Sequence, residues 1–490
     1  MQRGDGVFAS SNDYYIGALF AILSGKTLTV QAGVNVHFLP GASILLKGGG
    51  LLVQGTADRP VTFAPLPGTD GSGSAAFVLQ SGFDYSAMVL QNAAFNSLSN
   101  AFVDNQASGS NTGALQATNV SFSNATAAFW PMTTIAGLHV QASTVSFTNG
   151  AVLTACTVDA STVMSAGAVF SISDAVISGS AISLAMTGRS NAVTPWELTG
   201  TNGHYAYELV TFSNVACTAS SMRFAYYNPG DDYQIGVFLL LNSAFSSTAF
   251  DVDATSVYGP NPQLVTVGST LSSCSVGPTS PLWIDTSVVS NATIVSQNTQ
   301  YGGTVVVTNS ALSQVSLFAG KVLRVSNSSL SLQSTPGAFM ANSLAATGTS
   351  FSGFGASGIP VQNALVQGCS FLGANTSASV GLVVDGWLTM SDSAVSGVDT
   401  LFVFNPDTSN TQVSGCALAS RASAAGAAPP YLVNNSSPFD INMANNTWGA
   451  AFQAISSGMG VPVLSQFISD VFLNIAYGQV VFQPFASAPV

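Results

Sequence analysis

Residues Val305–Ser334 read VVVTNSALSQVSLFAGKVLRVSNSSLSLQS. One phrase occurs in that stretch twice. Thr308-Asn309-Ser310-Ala311-Leu312 returns eighteen residues later as Ser326-Asn327-Ser328-Ser329-Leu330. A β-branched run precedes each copy, so the phrase reads as an extended segment, a tight corner of small residues, then one apolar side chain turned inward. Aligned on that last apolar residue, it recurs at Phe95, Phe122, Phe147, Ile177, Cys217, Phe245, Leu271, Ile294, Leu312, Leu330, Phe351, Phe371, Val395, Leu418 and Trp448. Most steps are 18 to 30 residues, and the step from Ile177 to Cys217 is 40, which implies an insertion.

Variable spacing around a constant corner excludes helical repeats, which keep a nearly fixed length and are rich in Leu, Glu and Lys. A solenoid of parallel strands obeys a different logic. Short strands stack at about 4.8 Å per coil, like residues sit above like, and insertions leave at the corners. Inward Phe, Leu, Ile and Val then form the core, and Asn or Ser at the corner can satisfy the backbone of the next coil. On this reading Asn309 lies beneath Asn327, and Leu28, Val30, Val36 and Phe38 point inward.

Composition narrows the function classes. The chain has 490 residues, 6% charged and 47% hydrophobic, where ordinary soluble proteins are about 25% charged. Disorder is excluded by the hydrophobic content. Apolar runs such as Ala18–Leu23 and Val237–Leu241 are too short for a spanning helix of about 20 residues, and the aromatic girdles of a membrane barrel are not evident. A net charge of -12 with nine Lys plus Arg excludes nucleic acid and anionic membrane surfaces as partners. Asp5 and Asp13 interrupt any apolar leader at the N-terminus. The five cysteines (Cys156, Cys217, Cys274, Cys369, Cys416) lack zinc-site spacing. Cys369 and Cys416 fill the same slot of the phrase two coils apart, about 9–10 Å, so no disulfide joins them.

The opening and closing stretches carry a family resemblance. Lys26–Phe38 (KTLTVQAGVNVHF), Gly50–Thr56 (GLLVQGT) and Arg59–Phe63 (RPVTF) resemble the first coils of right-handed parallel β-helix proteins of the pectin-lyase-like superfamily. Asn445-Asn446-Thr447-Trp448-Gly449, Ile468–Asp470 and Gly478–Phe485 are similar to that superfamily's closing coil and cap, with Thr447 standing where a second aromatic is common. The resemblance implies an all-β chain, a single right-handed parallel β-helix with capped ends and an irregular insertion near 186–235. The expected layout is one domain over 1–490: N-terminal cap and first coils 1–65, coils 66–185, the aromatic and charged insertion 186–235, coils 236–430, and the closing coil and cap 431–490. It specifies architecture and leaves activity open, since the family includes enzymes and non-catalytic surface proteins.

Family enzymes place carboxylates in a groove on the coils. Here Asp251 and Asp253 fall on one strand face and could hold calcium or catalyse, or be a solvated edge. No catalytic constellation, metal site or cofactor site stands out. The segment 186–235 concentrates Trp196, Tyr205, Tyr207, Tyr226 and Tyr227, which could stack on sugar rings or simply cover one side of the solenoid. Of the eight Asn-x-Ser/Thr triplets, Asn124, Asn375 and Asn434 are the expected exposed glycosylation candidates, whereas Asn119, Asn291, Asn327 and Asn445 belong to the phrase and are expected as buried corner groups. The expectation is a non-catalytic extracellular or cell-surface structural or adhesive solenoid, with self-association and carbohydrate as candidate partners. The alternatives are a polysaccharide lyase or glycoside hydrolase, or a glycan-binding module.

Overall fold

The computed structural model describes residues 6–69, 75–80, 82–104, 112–167, 169–187, 205–227, 234–253, 263–277, 282–296, 303–333, 339–355, 358–374, 379–421, 432–449, 468–469 and 477–481. Among them the structure is strands and corners. The one helical piece is a short 3-10 turn at Tyr85–Ala87. Among the described residues no helix is long and apolar enough to cross a membrane. The chain forms two compact units, Met1–Pro262 and Gln263–Val490. Each is a solenoid of stacked parallel strands, a parallel β-helix, and the strand pairings within each unit are parallel.

A coil has three sides and two sharp corners between them. One coil of the first unit runs along Leu115–Thr118, turns at Asn119, continues along Val120–Ser123, turns at Asn124, and closes along Thr126–Phe129. Both corner residues hold a positive φ, 51° at Asn119 and 49° at Asn124. A single residue in the left-handed region bends the chain sharply from one side to the next, and Gly, Asn and Asp tolerate that region best. In the second unit the first-corner column reads Gly268, Thr286, Asn309, Asn327, Gly348, Gly368, Asp392, Gly415 and Asn445, every one at positive φ. The repeated Asn of the phrase is therefore there for backbone conformation.

The apolar residue of the phrase lies on the second side and forms one inward column per unit. In the first unit it runs Phe63, Phe95, Phe122, Val140, Val158, Ile177, Cys217, Phe245. In the second it runs Leu271, Val289, Leu312, Leu330, Phe351, Phe371, Val395, Leu418, Trp448. Neighbouring rings stack at the coil spacing, Phe63 on Phe95 at 5.0 Å and Phe351 on Phe371 at 4.8 Å. All of these side chains are buried, as are Leu28, Val30, Val36 and Phe38; each contributes about 1.5–3 kcal/mol of hydrophobic stabilisation.

Two of the fifteen positions from the sequence belong elsewhere. Phe147 faces Phe129, and Ile294 faces Val276, both on the third side. They follow the second corner, at Ala142 and Asn291, which has the same positive φ and the same small-residue chemistry as the first. The residues that fill their places in the column are Val140, Val158 and Val289. Asn309 and Asn327 are stacked as expected: Ala311 faces Ser329, and the Asn309 N–H donates to the Ser326 carbonyl. Within 186–235, strands Tyr205–Thr218 and Ser221–Tyr227 run in register with Phe170–Ser178 and Ala181–Thr187, so regular coil reaches well into that segment.

Candidate functional site

In the second unit the residue after each first-corner turn is small, polar and buried. This rank is Ser269, Ser287, Ser310, Ser328, Thr349, Cys369, Ser393, Cys416 and Asn446. Each serine hydroxyl donates to the carbonyl two residues back, as Ser310 does to Thr308 at 2.6 Å and Ser328 to Ser326 at 2.7 Å. It also accepts the backbone N–H of the same rank one coil earlier: Ser269 to Ser287 at 3.1 Å, Ser287 to Ser310 at 3.0 Å, Ser310 to Ser328 at 3.1 Å. Asn446 ends the rank, accepting the Cys416 N–H at 2.8 Å and donating to Val413 and Met443. The expected buried polar corner group thus exists, but it is the serine. Asn119, Asn291, Asn327 and Asn445 are exposed.

Above this rank the exposed corner forms a groove of about 920 Å³, lined by Asn327, Gly348, Ser350, Gly368, Ser370, Asp392, Gly415 and Thr447 among others. Six successive coils contribute to it, so it is about 24 Å long. Its floor is the serine rank, its rims are hydroxyls and bare backbone, and Asp392 is its one ionised side chain. A smaller groove of about 630 Å³ follows the second corner of the first unit, along Ser161, Gly179, Ser180, Ala219, Ser220 and Ser247.

The cysteines are rungs of the same architecture. All five are free and buried. Burial pushes the Cys156 and Cys416 thiols up to about 11, Cys416 with help from the nearby Asp392 charge, and it raises Cys217 and Cys369 as well. A raised thiol in an apolar setting is a poor nucleophile. Cys369 and Cys416, two coils apart, are not bonded.

Asp251 lies opposite Arg223 of the preceding coil at 3.9 Å, with both side chains more than half exposed. That is a solvated ion pair on an outer column continuing through Ser183 and Met164. Asp253 faces Ala225 on the same strand pair, and its side chain is outside the described residues. The strand carrying Tyr205 and Tyr207 pairs with Gln234–Leu241, and the strand carrying Tyr226 and Tyr227 pairs with Ala181–Thr187; the tyrosine side chains, together with Trp196 and Asn375, are outside the described residues too. Among the described residues no group of three or more His, Cys, Asp and Glu could hold a metal ion. Asn124 is exposed at a second corner, and Asn434 is half-buried on the third side. Its neighbour Asn435 is wholly buried and donates to Gly478 and Phe439 carbonyls. Sequence reasoning passed over Trp387, which is 40% exposed; nothing in its neighbourhood spells an aromatic cluster.

No protein-family description matches the chain, and no curated protein does. Among solved structures it is similar to the catalytic domain of a GH87 alpha-1,3-glucanase in complex with nigerose, at 13% identity and a TM-score of 0.25, covering 79% of this chain and 64% of that one. It is also similar to a mannuronic acid specific polysaccharide family 6 lyase from human gut microbiota (9%, TM-score 0.23, 96% and 91% covered). A third is the tailspike protein of E. coli bacteriophage HK620 in complex with pentasaccharide (10%, TM-score 0.18, 92% and 73% covered).

Proposed function

We propose that this chain is a non-catalytic adhesive solenoid, working outside the cell or at its surface, which holds an extended neutral glycan along the first-corner groove of the second unit. The observation that carries the reading is the groove itself, with a hydroxyl, an amide or a bare backbone step in every coil and one charge in its lining. A glycan offers hydroxyls at a regular repeat. A column of polar groups stepping about 4.8 Å meets them with many weak contacts that sum along the chain. The negative balance of the protein and Asp392 both disfavour an anionic polymer.

A polysaccharide panel, scored for retention and for product release, tests this. Retention of a neutral glycan without release is expected; release overturns the non-catalytic part, and no retention overturns the glycan. Ser370→Arg, on an exposed groove position, is expected to weaken retention about tenfold by filling the groove.

Self-association is part of the same reading and has its own support. The third side of the second unit carries an outward apolar column through Val295, Phe318 and Met340, and again through Pro360, Val383 and Val403. Sedimentation across a wide concentration range should reveal association, and a monomer throughout removes this part.

A further inference from the structure

We infer that Trp387 is a stacking platform for a sugar ring, a second contact for the neutral glycan proposed above, and the inference rests on that reading. Strand Val380–Ser391 slips against Ile359–Gln367. Val361 faces Val384, yet Asn363 faces Trp387, so Asp385 and Gly386 together oppose Gln362. An extra residue at this point is a bulge, a device that re-aims the side chain beside it. The bulge is held from the next coil. Asn405 Nδ2 donates to Asp385 Oδ1, Thr408 Oγ1 to the Val384 carbonyl at 2.6 Å, and the Ser409 N–H to the Gly386 carbonyl at 2.6 Å. Gly386 is pressed onto the neighbouring coil: a Cβ there would come within 2.5 Å of Asn363 Oδ1. The backbone leading into Trp387 is therefore fixed on both sides.

The ring departs from the polar residues that precede it in its column. Its column in earlier coils holds Ser343 and Asn363, and Trp387 keeps 40% of its surface in water. Asn363 borders it on one side. On the other, the Leu388 N–H donates to Thr411 Oγ1 at 3.3 Å, which brings the exposed Asn410 of the next coil alongside. Leu365, 52% exposed, extends the apolar surface. A flat apolar ring rimmed by amides, with a carboxylate two residues away, complements a pyranose, whose C–H face is apolar and whose edge is hydroxyls. A protein partner would call for a broader apolar patch than one indole among amides. Trp387 stands about 16 Å from Asp392 along the strand, so one oligosaccharide of several rings can reach both it and the groove.

The test is affinity electrophoresis in gels cast with pullulan, mixed-linkage β-glucan, galactomannan or polygalacturonate, with tryptophan fluorescence titration of any glycan retained. Trp387→Ala is expected to weaken binding of the neutral glycan about tenfold, Trp387→Phe about threefold, and Asn363→Ala a few-fold, with the circular dichroism spectrum unchanged. If Trp387→Ala binds like the parent while Ser370→Arg is weakened, the platform is wrong and the groove reading stands. If none of the four polymers retards the parent protein, both fail. If Trp387→Ala loses a protein partner while glycan binding is unaltered, the ring serves protein contact and the inference falls.

Discussion

At the scale of one residue, the corner rank shows how interchangeable small polar groups are when geometry supplies the bond. Ser, Thr, Cys and Asn all occupy it. Cys369 Sγ contacts the Gln367 carbonyl at 3.3 Å in the manner of the serines. The cost of a thiol appears only in alkali. Cys156 and Cys416 titrate at about 11 in the folded chain against 9.0 for the ordinary thiol. A raised folded value means the unfolded chain sheds its proton first, so stability is full below pH 9 and falls as pH climbs from 9 towards 11. The melting temperature should therefore drop across that window, and the Cys156→Ser, Cys416→Ser double variant should flatten the drop. Equal slopes for parent and variant would remove the thiols from the explanation. Alkylation of the folded protein at pH 8 should be slow at both positions.

At the scale of an element, a corner is a pair of residues with divided labour, one bending the backbone and the next satisfying it. Ser310 makes the division measurable. Its hydroxyl is the acceptor for the buried Ser287 N–H and donates to Thr308. Ser310→Ala is expected to cost about 1–3 kcal/mol, because a buried donor loses its partner; the urea midpoint measures it, and faster amide exchange at Ser287 should accompany it. An unchanged midpoint would mean that this N–H finds another acceptor. The two corners also explain what the sequence made legible. Phrase and fold agreed because an exposed bender, a buried satisfier and an inward apolar residue recur in that order. Phe147 and Ile294 were misplaced because the second corner spells the same order. Val140, Val158 and Val289 were missed because their first corners use Gly137, Ala155 and Thr286, which do not look like the phrase. Trp387 was not legible at all: its exposure comes from a register slip against the neighbouring coil, which no local pattern records.

At the scale of the whole molecule, the low charge content means that electrostatics contributes little to holding it together. The Arg223–Asp251 pair is solvated on both sides, and such pairs are worth about 0–1 kcal/mol. Arg223→Ala should shift the unfolding midpoint by less than about 1 kcal/mol, and 1 M NaCl should change the melting temperature little. A large loss in either measurement would expose a charge network that the coil register does not suggest. What does hold the molecule is repetition, and repetition tolerates interruption. Ile177 faces Cys217 although the equivalent Ser180 and Ser220 are 40 positions apart in the chain, and the Ser180 N–H to Ser220 Oγ bond is nonetheless 3.2 Å. The frame therefore does not register how much polypeptide departs from it before the next rung is laid. A foreign peptide of similar size, spliced between two rungs elsewhere, would ride as cargo on a scaffold indifferent to its identity.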